Sequence, residues 1–212
     1  MIGIVIGTLT SFGQAYLDSP WLALVNSASP WLLGSFAAGA VQASRRRGVL
    51  AGLVACVLEV AAYYLVTAGR GYAVSHGEII FWVVCALFGG PLFGWGGWAW
   101  RSGPERLRPW GGALPAATWL AEAIGTYQLR LGYHSEAILF LAIGFALLAV
   151  TVLASPSLRQ RVAFTAGVSV LIVLAGVVVY WQLLGALTAA VSAVSPVQTG
   201  SRAYTVCLRS PA

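Results

Sequence analysis

Two glutamates, Glu59 and Glu122, lie inside long apolar stretches and are the residues best placed to do chemistry. Glu59 follows Gly48 by eleven residues and Glu122 follows Trp110 by twelve, which is roughly 16 to 18 Å along a helix. An ionised carboxylate inside a membrane costs about 2.5 kcal/mol or more unless it is paired, protonated or hydrated. Because the apolar stretches contain no Lys or Arg, we expect both acids to be protonated, hydrated or bound to a ligand.

Polar side chains accompany the two acids at helical spacing. Thr118, Glu122 and Thr126 recur every four residues and therefore share one helix face. The sequence predicts a polar pocket in the outer half of a membrane that binds a polar or cationic small molecule. Its candidate ligand-binding residues are Gln14, Asn26, Glu59, Tyr63, Thr118, Glu122 and Thr126. Hydrogen bonding between helices without any cavity, worth about 0.6 kcal/mol per bond, is the alternative explanation.

Catalytic and metal-binding patterns are weak. His76 with Glu78 and His134 with Glu136 form two His-x-Glu pairs. These are metal-ligand residue types, but an acid in this position more commonly stabilises the N-terminus of the following helix. The sequence has no nucleophile–base pair and no acid-rich diphosphate motif, so a membrane enzyme acting on lipid or isoprenoid substrates is the least favoured class. We predict no enzyme activity, no metal and no cofactor.

The elements that position these residues are membrane helices. Of 212 residues, 59% are hydrophobic and 8% are charged, whereas soluble domains carry about 25% charged residues. A water-soluble globule is therefore excluded. Seven apolar segments predict an all-α, polytopic transmembrane helix bundle over residues 1–187, followed by an exposed, poorly ordered tail over residues 188–212. The segments comprise residues 2–17, 20–43, 48–67, 79–100, 110–127, 137–155 and 162–187.

Two of the segments allow a second interpretation. Asn26 and Pro30 interrupt segment two, so residues 20–29 are either part of a span or a re-entrant piece, and the latter gives six spans. Segment four contains Pro91 among several glycines. This predicts either a broken helix of the kind that binds substrates in transporters or a surface for close helix packing.

Arginine positions predict the orientation of the bundle. Eight of the twelve Arg lie in the even-numbered connections between segments, which the positive-inside rule assigns to the cytoplasm. We expect a bacterial cytoplasmic-membrane protein with a cytoplasmic N-terminus and an external C-terminus. Its expected surroundings are the lipid bilayer and partner membrane subunits, without nucleic acid.

A short internal similarity predicts duplicated hairpins. Gly71 and Tyr72 are followed by a His and a Glu, as are Gly132 and Tyr133. Segments three and four would then form a helical hairpin that segments five and six repeat, with Glu59 and Glu122 at matching places. Chance similarity in a biased composition explains the same pattern.

Residues 9–14 (LTSFGQ) and 26–31 (NSASPW), followed later by Tyr63 and Tyr64, resemble a family of small multi-pass bacterial membrane proteins of unknown function. The resemblance covers most of the chain and implies no particular activity. By size and composition alone, the chain is also similar to the membrane-embedded substrate-binding subunits of vitamin transporters.

The favoured function is a small-molecule permease or a membrane-embedded substrate-binding subunit, because of the predicted polar pocket and segment four. The alternative is a structural or regulatory subunit of a larger membrane complex, without transport or catalysis. The many glycines and the lack of a catalytic constellation favour that alternative.

Overall fold

The structure, a computed structural model, describes residues 1–154 and the isolated positions 162, 167, 170, 173, 176 and 185. Every element in this described part is helical, which confirms the all-α prediction for it. The elements are α1 (Ile2–Tyr16), α2 (Leu22–Val25), α3 (Ala28–Ala40), α4 (Arg45–Gly69), α5 (His76–Ser102), α6 (Arg108–Ala121), a π-helical segment (Glu122–Leu131) and α7 (His134–Leu153). Apart from the isolated positions, predicted segment seven and the tail over residues 188–212 lie outside the described residues.

Three of these helices, α4, α5 and α7, are long and apolar enough to cross a membrane. Helices α1 and α3 contain 15 and 13 residues, fewer than the roughly 20 that a span requires. Helix α6 passes directly into the π-helical segment, since Ala121 and Glu122 both keep right-handed helical backbone angles. The count of seven spans therefore stays a prediction.

Segment two is not one helix. A single helix over residues 20–43 is wrong, because the chain leaves helical geometry at Asn26 and Ser27, between α2 and α3. Pro30 then lies in the first turn of α3, where a missing N–H removes no helical hydrogen bond. The interruption near Asn26 and Pro30 that the sequence indicates is therefore present.

Segment four is an unbroken helix. Helix α5 continues through Pro91 from His76 to Ser102, so the prediction of a broken helix is wrong and the packing interpretation applies. A methyl group added at Gly94 would overlap the backbone of Gly48 and Gly52 on α4. A methyl group added at Gly39 on α3 would overlap the backbone of Gly94. Glycine at this crossing lets the three backbones approach closely.

Each of the two predicted hairpin turns contains a glycine in left-handed backbone geometry. Gly71 and Gly132 follow the ends of α4 and the π-helical segment with φ of 81° and 68°, left-handed values that favour glycine. The next amide in each turn, that of Tyr72 or Tyr133, donates to a carbonyl of the preceding helix, at 3.2 Å and 2.8 Å respectively. The turns therefore share a left-handed glycine but not the same hydrogen bond, since Tyr72 bonds to Thr67 and Tyr133 bonds to Tyr127, one residue further back. The helices before them also differ, because only the second hairpin of the described chain contains π geometry.

Candidate functional site

The start of α3 is capped by the carboxylate of Glu122. The backbone N–H of Ala28 donates to Oε1 at 3.1 Å and that of Ser29 donates to Oε2 at 3.0 Å. The Ser29 hydroxyl also donates to Oε2. These donors belong to the first turn of α3, where the N–H groups lack helical acceptors and the helix dipole favours an anion. A side chain from α6 and the π-helical segment thus satisfies the exposed helix end that the break creates.

Tyr127 reaches the same break from the π-helical segment. Its hydroxyl shares a 2.5 Å hydrogen bond with the Ser27 hydroxyl and donates to the Ala23 carbonyl at 3.4 Å. Tyr127 and Ser27 are both buried. Because i→i+5 bonds bring residues five apart onto one side of a π-helix, Glu122 and Tyr127 can hold the two sides of the break together.

A cavity of about 180 Å³ lies beside the Glu122 carboxylate. Three of its described lining residues are the predicted face of Thr118, Glu122 and Thr126. The Thr118 hydroxyl donates to the Leu114 carbonyl one turn earlier at 2.8 Å, so its lone pairs remain as acceptors. The other described lining residues are small, namely Ala28, Ala117, Ala121 and Gly176. The cavity therefore combines one polar strip with otherwise small apolar walls.

Three further predicted site residues form a separate chain of hydrogen bonds. The Gln14 amide donates to Asn26 Oδ1 at 2.5 Å, and Tyr63 OH donates to Gln14 Oε1 at 2.8 Å. This network joins α1, α4 and the α2–α3 break. None of the three residues contributes to the described lining of the Glu122 cavity.

Glu59 shares no hydrogen bond with either group, although Tyr63 lies one turn further along α4. The Glu59 side chain is 0% exposed, and neither carboxyl oxygen has a hydrogen-bond partner. A methyl group added at Gly34 of α3 would lie 3.6 Å from Oε2 and 3.8 Å from Oε1. The carboxyl group therefore faces α3 at a glycine, where the absence of a side chain leaves room for it.

The comparison with known families supports the resemblance found in the sequence. A model of a family described as a family of unknown function, DUF6518, matches residues 1–186. The chain belongs to the DUF6518 family. No curated protein and no solved structure matches it, so the likeness to vitamin transporter subunits has no support from these comparisons.

The structure of this DUF6518 protein divides the seven predicted site residues among three places. Thr118, Glu122 and Thr126 share the cavity, Gln14, Asn26 and Tyr63 share a hydrogen-bond network, and Glu59 lies alone. They are not brought together in one pocket. Their roles in binding stay predictions.

Sequence reasoning missed Ser27, Ser29 and Tyr127 as partners of the site. Serines directly before and within a first helical turn are a recognised signal for a helix start, so the first two could have been found. Tyr127 gave no such signal, because a helix of 3.6 residues per turn does not place it on the face of Glu122.

The second His-x-Glu pair of this DUF6518 protein, His134 and Glu136, has ordinary polar contacts. Glu136 accepts from the Ser19 hydroxyl at 2.5 Å and from the Ser135 hydroxyl at 3.2 Å. His134 Nδ1 shares a hydrogen bond with Gln128 Oε1 at 3.1 Å. Among the described residues, no group of three or more His, Cys, Asp or Glu is placed to hold a metal ion.

Proposed function

We propose that this DUF6518 protein is a cytoplasmic-membrane protein whose Glu122 cavity binds a small molecule with a cationic or hydrogen-bond-donating group. It would act as a permease or as a membrane-embedded substrate-binding subunit. The observation that carries the proposal is a carboxylate beside a cavity, on a helix face that also presents Thr118 and Thr126.

The Glu122 carboxylate can accept one more hydrogen bond in addition to those it already accepts. A carboxylate offers about four lone-pair sites, two on each oxygen. Oε2 accepts from the backbone N–H and the hydroxyl of Ser29, whereas Oε1 accepts from the N–H of Ala28. The remaining site on Oε1 suits an ammonium or hydroxyl donor of a ligand. The helix end holds the carboxylate in place before a ligand arrives.

The dimensions of the cavity favour a small ligand. Its volume of about 180 Å³ is below the roughly 300 to 1,000 Å³ typical of sites for drug-sized molecules. The walls formed by Ala117 and Ala121 offer apolar contact to a short alkyl group. A short alkylamine therefore represents the expected ligand class and serves as a probe.

We expect propylammonium to raise the melting temperature of the detergent-solubilised protein, and propanol, the uncharged analogue, to do so less. A ligand at about 100 times its dissociation constant stabilises the folded state by about 2.7 kcal/mol. Glu122→Gln, which keeps one acceptor oxygen but loses the charge, should abolish the difference between the two probes.

The matched control for this experiment is Glu136→Gln. Glu136 is also an acid that accepts from serine hydroxyls, but it is not among the described residues of the cavity. This variant should respond to propylammonium as the unsubstituted protein does. An equal response of Glu122→Gln and the unsubstituted protein would remove Glu122 from ligand binding.

The proposed orientation predicts which connections face the cytoplasm. In a chain whose Cys56, Cys85 and Cys207 are replaced by Ser, Ser75→Cys should react with a membrane-impermeant maleimide in intact cells. Ser102→Cys should react only after permeabilisation, because it lies among Arg101, Arg106 and Arg108, where α5 ends and α6 begins. The opposite pattern would invert the topology.

A structural subunit is the second candidate function. The observation that favours it is the close glycine crossing of α3, α4 and α5, where the three backbones pack directly against one another. If this function holds, propylammonium and propanol will have the same effect on the melting temperature of the unsubstituted protein.

A further inference from the structure

Glu59 is enclosed by helices that offer it no polar partner. It lies on α4 and faces Gly34 on α3, and the third wall is α1. A methyl group added at Gly34 would also meet the Ile6 side chain of α1, so Ile6 lies over the same position as the carboxyl group. The carboxyl group is therefore covered by an isoleucine and a glycine, neither of which can donate a side-chain hydrogen bond.

The two halves of α1, the helix that covers Glu59, contact α4 in different ways. The first part of α1, residues 2–7, contains only Ile, Val and Gly, and methyl groups added at Gly3 or Gly7 would overlap the α4 backbone at Ala55 or Glu59. This part is held by packing alone, because its side chains have no polar atoms.

The second part of α1 is fixed by polar contacts. The Ser11 hydroxyl shares a 2.8 Å hydrogen bond with that of Thr67, and the Arg70 guanidinium donates to the Ser11 carbonyl. Gln14 accepts from Tyr63 OH at 2.8 Å. The helix is thus anchored at its C-terminal half and free of side-chain hydrogen bonds where it covers Glu59.

We propose that Glu59 is a proton site gated by α1. With α1 in place, the carboxyl group is neutral and keeps its proton, because an unpaired carboxylate in these surroundings is strongly disfavoured. When the N-terminal half of α1 tilts away from α4, water reaches the group. The acid then transfers its proton to water, leaving a hydrated carboxylate and hydronium, and the reverse step restores the neutral acid.

The three helices that enclose Glu59 in the described part of the chain, α1, α3 and α4 itself, place no basic side chain next to its carboxyl group. Helices α1 and α3 contain no Asp, Glu, His, Lys or Arg, and Tyr16 is their one titratable side chain. On α4 itself the neighbouring titratable groups are Cys56, which is also buried, and Tyr63, whose hydroxyl donates to Gln14. Proton exchange therefore needs water to enter. This inference does not depend on ligand binding in the Glu122 cavity.

Two carbodiimides of different solubility test the gate in the full chain in detergent. A carbodiimide reacts with the neutral acid: the carboxyl oxygen bonds to the reagent's central carbon while the acid proton moves to its nitrogen. Dicyclohexylcarbodiimide dissolves in apolar surroundings, whereas a cationic, water-soluble carbodiimide needs an aqueous route. Peptide mass spectrometry measures the adduct at Glu59, and Glu59→Gln must remove it.

We expect the apolar reagent to label Glu59 readily and the water-soluble reagent to label it slowly but to completion. Gly7→Ala, which forces α1 away from the Glu59 carbonyl, should speed the water-soluble reaction by about tenfold or more, since overlap of this size shifts an opening equilibrium by that factor. Ile6→Ala removes the side chain that covers the carboxyl group and should also speed labelling by the water-soluble reagent. It replaces Gly7→Ala in the test if that variant does not fold. The matched control is Gly69→Ala, where an added methyl group has no neighbour within 4 Å.

Four results would overturn the proposal. Absence of labelling by either reagent would show that Glu59 is not a neutral acid. Labelling by the apolar reagent alone, in every variant, would show a static acid that never meets water. Equal water-soluble rates in Gly7→Ala and the unsubstituted chain would show that α1 is not the gate. An equal gain in Gly69→Ala would show that the effect is not local to α1.

Discussion

Replacing Glu122 with Leu is expected to lower the free energy of unfolding by about 3 kcal/mol, because each donor left without an acceptor costs about 1 to 3 kcal/mol. The substitution leaves the N–H groups of Ala28 and Ser29 and the Ser29 hydroxyl without their carboxylate. Equilibrium unfolding in mixed detergent, followed by circular dichroism, measures the change. The loss should exceed that of Glu122→Gln, which keeps one acceptor oxygen.

Substitution of Glu59 provides the matched comparison, because it should raise the free energy of unfolding where substitution of Glu122 lowers it. The Glu59 carboxyl oxygens have no partner, so Glu59→Met removes no hydrogen bond and replaces a buried polar group with an apolar one of similar length. We expect a gain of about 1 to 3 kcal/mol in the free energy of unfolding. Destabilisation of similar size in both variants would contradict the assignment of Glu122 as the bonded acid and Glu59 as the unbonded one.

Gly94→Val is expected to destabilise the bundle by about 3 kcal/mol, at the upper end of the usual cost of overpacking. The added side chain would meet the backbone of Gly48 and Gly52, which cannot move aside as a flexible side chain can. Helices α4 and α5 would have to separate, and α3 with them, since Gly39 packs on the same glycine. Unfolding in mixed detergent again measures the effect.

Gly77→Ala is the control for this prediction. It adds a methyl group near the start of α5, where the nearest atom is the Ser75 hydroxyl oxygen at 3.8 Å. This variant should unfold within about 0.5 kcal/mol of the unsubstituted chain, as substitutions without new contacts usually do. A Gly94→Val variant as stable as this control would show that the crossing tolerates separation.

The sequence predicted the helical elements well where apolar length and breaks determine them. The all-helical fold, the interruption near Asn26 and Pro30, and the shared face of Thr118, Glu122 and Thr126 follow from composition, proline geometry and helical spacing. The two Gly-Tyr turns were recognisable because a left-handed residue after a helix favours glycine. These features depend on local chemistry, which a single sequence carries.

The contacts between distant helices were not predictable in this way. The threonines flanking Glu122 do not reveal that it caps α3, and nothing beside Glu59 reveals that apolar walls enclose it. The two acids differ in their contacts because tertiary packing places the N-terminus of α3 beside Glu122 and not beside Glu59. The continuous path of α5 through Pro91 was also undetermined, because the same glycines suit a broken helix and a close crossing.

The π-helical segment determines which side of α7 faces α6. A turn closed by an i→i+5 bond contains one residue more than an α-helical ring, and one residue corresponds to about 100° of rotation in an α-helix. A chain shortened by Gly125 alone would keep its composition and apolar pattern, but α7 would present another side to α6. Phe140, whose ring centroid lies 4.7 Å from that of Trp119, would then point elsewhere. The orientation of α7 against α6 thus depends on the number of residues in the π-helical segment as well as on the side chains in contact.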